Sequence, residues 1–120
     1  MPIENYLLPG EKILFWSDFQ VTYQEAKYKV YITNLRLLLY NESGIVFKKE
    51  EIITETFRHV TGLQFTEQGT INKRGVFKFS SQKGVVQLEG PVNGMRGIFK
   101  AIQRQTIDPY KINHLIDPDC

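Results

Sequence analysis

Cysteine is almost absent: the only one, Cys120, is the last residue of the 120-residue chain. It has no partner for an intramolecular disulfide, and no Cys/His cluster is present to hold zinc. Long apolar runs are missing too. No stretch approaches the length that crosses a bilayer, and Met1-Pro2-Ile3-Glu4-Asn5 lacks the basic start and apolar stretch of a secretory leader. The expectation is a soluble, cytoplasmic protein, at most peripheral to a membrane. Charge of one sign is scarce, since 15 Lys and Arg against 13 Asp and Glu leave a net charge of +2. That balance does not call for a polyanion, so nucleic acid is not an expected partner. His59 and His114 have no neighbouring nucleophile, and Asp18, Glu50, Glu51 and Glu55 show no recognisable pairing. Catalysis, a bound metal and a cofactor are therefore not expected.

What is present is apolar residues in short alternating runs. The composition, 42% hydrophobic and 23% charged, is that of one globular domain with a continuous core. The densest stretch is Tyr28-Lys29-Val30-Tyr31-Ile32-Thr33-Asn34-Leu35-Arg36-Leu37-Leu38-Leu39-Tyr40. Tyr28, Val30 and Ile32 fall on one face of a first arm, and Leu35, Leu37 and Leu39 on one face of a second. That is the period of a strand with one face buried. Asn tolerates positive φ, so Thr33-Asn34 suits the turn between the arms. A hairpin this apolar needs further sheet to cover it.

Leu8-Pro9-Gly10-Glu11 reads as a lead-in turn. A first strand over residues 12–23 puts Ile13, Phe15, Phe19, Val21 and Tyr23 on one face, with Leu14 and Trp16 on the other. Residues 24–27 are short enough for a hairpin loop. After the turn at residues 41–44, Ile45-Val46-Phe47 begins another strand; residues 50–57 read as strand or loop. Val60, Leu63 and Phe65 mark a further strand, and residues 76–79 and 85–88 form a hairpin around residues 81–84. About seven short strands separated by turns indicate a barrel or sandwich. The period then changes. Val92, Met95, Ile98, Phe99 and Ile102 follow helical spacing over residues 92–105, with Asn93 as a candidate cap. Gly94 and Gly97 weaken that helix by about 1 kcal/mol each relative to Ala, which points to close approach of its backbone to the sheet. The closing segment carries Ile107, Tyr110, Ile112, Leu115 and Ile116, too apolar for a solvated tail.

Leu8-Pro9-Gly10-Glu11, the run Tyr31-Ile32-Thr33-Asn34-Leu35-Arg36-Leu37, the strands that follow and the late amphipathic helix resemble prokaryotic pleckstrin-homology-like domains. The likeness covers roughly residues 6–105 and is sharpest in Thr-Asn-x-Arg-Leu. It implies a mainly β fold: a strongly bent seven-stranded antiparallel barrel capped by one C-terminal helix, with residues 1–106 as the domain and 107–120 as a tail. It also implies a binding or assembly module rather than an enzyme.

Some eukaryotic members of that superfamily hold phosphoinositides between loops at the open barrel end. The matching loops here are residues 24–27, 41–44 and 81–84. Lys27, Lys29 and Lys83 supply positive charge there, opposed by Glu25 and Glu42. At about 1 kcal/mol per basic residue near an anionic surface, the surplus is small. Arg96, Lys100 and Arg104 form a basic stripe at i, i+4, i+8, which a solvated helix face explains most simply. Together these six residues define a secondary reading, weak binding to anionic lipid headgroups. Surplus apolar side chains define the primary one. Leu14, Trp16, Leu38 and Tyr40 alternate with the inward set, and one core does not take both faces of a strand. Either the tail or a bent corner covers them, or they form a protein–protein surface with Trp and Tyr as anchors. The expectation is self-association or docking of a protein partner through Leu14, Trp16, Leu38 and Tyr40, with Tyr110, Ile112, Leu115 and Ile116 of the tail contributing.

Overall fold

In the computed structural model residues 2–107 are described. The expected tail contacts at Tyr110, Ile112, Leu115 and Ile116 lie outside them. A short 3-10 turn, Pro2–Tyr6, precedes seven strands and one helix: β1 (Ile13–Tyr23), β2 (Ala26–Thr33), β3 (Arg36–Ser43), β4 (Lys49–Thr56), β5 (Thr61–Gln68), β6 (Arg74–Ser81), β7 (Gly84–Pro91) and α1 (Val92–Thr106). All pairings are antiparallel, and the strands form one sheet in the order β4-β3-β2-β1-β7-β6-β5.

The architecture is the expected one except at the seam. β1 meets β7 through the single pair Thr22↔Glu89, and β4 and β5 are both edges, so the sheet does not close into a barrel. The two halves nevertheless share one core. Val30, Ile32, Leu37 and Leu39 from one half cluster with Phe77, Phe79, Val86 and Leu88 from the other. A continuous sheet achieves this only by bending over on itself. Between the two edges, β4 and β5, the chain passes through a 3-10 turn, Phe57–His59. Lys83 crosses the seam, donating to the Thr54 carbonyl at 3.4 Å and pairing with Glu55 at 3.6 Å.

The helix lies on this core with Met95, Ile98 and Ile102 buried. Phe99 stacks on Phe65 with ring centres 5.3 Å apart. Pro91, with φ near −58°, occupies the cap position rather than Asn93, whose side chain accepts from Arg96 at 3.3 Å. Val30 and Leu37 are fully buried, as the hairpin pattern requires.

Several local readings change. Leu35 sits in the β2–β3 turn, 43% exposed, rather than on the inward face with Leu37 and Leu39. Ile45, Val46 and Phe47 do not begin a strand; they form the β3–β4 loop, and β4 starts at Lys49. Ile13 packs on the face opposite Phe15, because β1 shifts register between them.

Candidate protein-docking site

The outer face of β1–β3 carries a second, smaller core. Ile3, Tyr31, Leu38 and Tyr40 are buried there, with Tyr6, Leu7, Ile13 and Ile52 packed around them. The cover is the 3-10 turn at the start of the chain, whose Ile3 is 1% exposed. Leu38 and Tyr40, expected at an interface, are buried beneath this segment. They are sealed by the chain's own N-terminal segment rather than offered to a partner. The Tyr40 hydroxyl bonds Glu42 at 3.1 Å, and its pKa is raised by burial and then by the Glu42 and Glu50 carboxylates.

The residues of the Pro-Gly-Glu turn and the Thr-Asn-x-Arg run hold that segment in place. Glu11 is buried and accepts from Thr33 Oγ1 at 2.6 Å, from Arg36 Nε at 3.0 Å and Nη2 at 3.1 Å, and from the Leu8 N–H at 2.9 Å. Arg36 Nη2 also donates to the Tyr6 carbonyl at 2.7 Å. Thr33 Oγ1 in turn accepts the N–H groups of Leu35 and Arg36, and Asn34 Oδ1 accepts that of Lys12 at 2.8 Å. Burial pushes the Glu11 carboxyl up, but the bonds from Arg36, Leu8 and Thr33 and the Arg36 charge outweigh it and leave the pKa lowered. Among the described residues no buried side-chain polar atom lacks a partner.

Trp16 stands at the edge of this second core. Between Trp16↔Tyr31 and Gln20↔Lys29, β1 advances four residues while β2 advances two. The Ser17 hydroxyl spans the irregularity, donating to the Phe19 carbonyl at 2.6 Å and accepting the Val30 N–H at 2.9 Å. The bulge separates two side chains that simple alternation does not resolve. Phe19 turns toward the helix, where its ring lies under Gly94. Trp16 turns outward and remains 63% exposed. Beside it is an open cleft of about 230 Å³ lined by Ile3, Glu4, Ile13, Trp16 and Tyr31. Leu14 is 52% exposed at the first register shift and belongs to neither core.

The basic residues are not brought together. Lys27 and Lys29 are exposed on β2, whereas Lys83 is held by Glu55 across the seam. Arg96 makes a two-pronged pair with Glu67 at 2.7 and 2.8 Å, which raises its own pKa and lowers that of Glu67. Lys100 and Arg104 are exposed farther along the helix. A second, more polar cleft of about 310 Å³ lies between Thr22, Tyr23, Gln24, Glu25, Val85, Gln87 and Glu89, where carboxylates rather than cations line the wall. No three His, Cys, Asp or Glu side chains gather as a metal-holding group among the described residues. No helix there is long and apolar enough to cross a membrane.

No protein-family model matches the chain, and no curated protein matches it. Among solved structures it is similar to a pleckstrin homology domain from Shewanella amazonensis, with a TM-score of 0.63 at 20% identity over 89% of this chain and 94% of that one. That likeness shows the fold: the chain has the architecture of a pleckstrin-homology-like domain.

Proposed function

We propose that this chain is a non-enzymatic binding module that self-associates through the face carrying Trp16. The observation behind the reading is a large exposed indole standing beside an apolar cleft on the same face. A two-fold contact uses one patch twice, so that patch must contain both the projection and the recess. Trp16 and the Ile3, Ile13 and Tyr31 wall meet that requirement. In the paired form each indole covers the cleft of the other copy, and exposed Leu14 extends the contact. Trp is also the side chain most often found as a binding anchor, because it removes much apolar area from water while freezing few torsions. The fold adds weight, since pleckstrin-homology-like domains are often binding modules.

The anionic-headgroup reading is less well supported. Two of its six cations, Lys83 and Arg96, already hold carboxylates, and the six are spread over strand β2, the β6–β7 turn and the helix.

Sedimentation velocity over a wide concentration range tests the proposal. The mass of the full chain is expected to rise from monomer to dimer. Trp16→Ala is expected to weaken the dimer on the order of tenfold or more, as for a central anchor. A mass that stays monomeric throughout, or a dimer indifferent to Trp16→Ala, would overturn it.

A further inference from the structure

The four most exposed apolar side chains of the described residues are a single one, Ile71 between β5 and β6, and a run of three. Ile45, Val46 and Phe47 are 94%, 82% and 90% exposed at the tip of the β3–β4 loop. The loop springs from the last pair of that ladder, Ser43↔Lys49, and turns on Gly44, whose φ is 91°. The Phe47 carbonyl folds back over Gly44, leaving no room for a Cβ there. The tip is thus a built turn presenting three consecutive large apolar residues, with Lys48 and Lys49 immediately behind them.

We infer that this loop is a lipid-inserting finger, in which Ile45, Val46 and Phe47 enter the acyl-chain boundary of a bilayer while Lys48 and Lys49 stay at its anionic headgroups. Shape and area favour a bilayer over a protein surface. Three successive residues around a turn point in different directions, and a flat rigid face does not cover them all. A fluid bilayer does. Phe47 offers about 150–250 Å² and the two aliphatic side chains less each, so the tip offers on the order of 500 Å² at most. A stable protein interface takes about 800 Å² from each partner, so the finger alone falls short of one. Reversible interfacial attachment, by contrast, typically needs a few apolar side chains with basic neighbours.

The surrounding charge tempers the electrostatic part. Lys48 pairs with Glu42 at 3.6 Å, Glu50 accepts from the Tyr6 hydroxyl at 2.7 Å, and Glu51 follows two residues after Lys49; Lys49 and Lys27 have no ion pair among the described contacts. Attachment is consequently carried mainly by insertion, with anionic lipid strengthening it modestly. The inference stands apart from the Trp16 contact, because the loop and the cleft share no residue.

Co-sedimentation of the full chain with phosphatidylcholine vesicles, with and without phosphatidylserine, reads this out. The chain is expected to bind both, more tightly with phosphatidylserine, and to retain most of its binding as salt is raised. Ile45→Ser/Phe47→Ser is expected to lower partitioning on the order of tenfold or more, with its circular dichroism and melting unchanged because both sites face water. A Phe47→Trp probe in a Trp16→Phe chain is expected to shift to the blue with vesicles and to be quenched by brominated acyl chains. Three outcomes would overturn the inference: no binding to either vesicle, binding that survives the double substitution, or binding that vanishes with salt while the probe stays in water.

Discussion

Replacing Gly94 and Gly97 by alanine, one at a time, separates two effects that oppose each other in this helix. Gly97 is interior to the helix and Gly94 stands in its first turn, so alanine gains about 1 kcal/mol of intrinsic helix stability at Gly97 and at most that at Gly94. Their surroundings differ. A Cβ at Gly97 would sit 3.5 Å from the Phe15 ring, an ordinary contact. A Cβ at Gly94 would stand inside 3.0 Å of three Phe19 ring atoms, two of them far inside. Phe19 is half-buried and its ring also approaches Gly90, so making room disturbs the packing of β1 on β7. Overpacking of this kind typically costs about 1–3 kcal/mol, more than the helix gain. Gly97→Ala should therefore stabilise by up to ~1 kcal/mol and Gly94→Ala should destabilise by ~1 kcal/mol. The gap of about 2 kcal/mol corresponds to a Tm difference on the order of 10 °C for a domain of this size. Thermal and urea unfolding followed by circular dichroism at one fixed protein concentration measures it. In a Phe19→Ala background the clash is gone, so Gly94→Ala should become stabilising. Equal stabilisation by both alanines in the wild-type chain would refute the close approach of Gly94 to Phe19.

Other perturbations follow from the same contacts. Arg36→Ala leaves the Glu11 carboxylate buried without its cation and should destabilise by about 3 kcal/mol in urea unfolding, whereas an exposed Lys29→Ala should change little. Glu11 has a lowered pKa in the fold, so the unfolded chain binds its proton first. The stability it adds is present above about pH 4.5 and lost as pH falls through the folded value; Glu11→Gln should flatten that acid limb of a stability–pH curve. Tyr28 behaves oppositely. The Glu51 carboxylate beside its hydroxyl, then burial, pushes its pKa up to about 12, so stability should fall as pH rises from about 10 to 12, and Tyr28→Phe should remove that part. Ile3→Ala opens the cover over Leu38 and Tyr40 and should destabilise by about 2–4 kcal/mol in chemical unfolding.

The sequence made the strongly periodic parts readable. Val30, Ile32, Leu37 and Leu39 alternate because their strands bury one face against the main core, and Met95, Ile98 and Ile102 recur at helical spacing because α1 lies on it. The Thr33-Asn34-Leu35-Arg36 run was conspicuous, yet the role of its residues emerges only with Glu11, 22 residues from Thr33 in the chain. What misled was alternation applied where the backbone breaks it. The bulge in β1 depends on the Ser17 hydroxyl replacing a ladder contact, and no apolar pattern records that. Leu38 and Tyr40 looked unpartnered because their cover comes from a single turn, Pro2–Tyr6, too short to show a period. Ile45, Val46 and Phe47 have strand composition but sit on a loop, since Gly44 reverses the chain before pairing resumes at Lys49. Trp16 and Leu14, set apart by alternation from the inward residues of β1, are the outward residues that the fold leaves exposed.

Trp16 is the only tryptophan in the chain, so its fluorescence reports on the proposed contact without labels. Emission recorded from dilute to concentrated protein should move from that of a water-exposed indole to the blue, in step with the dimer mass. An emission maximum that stays at the exposed position while the mass doubles would place the contact elsewhere and contradict the pairing of the two indoles.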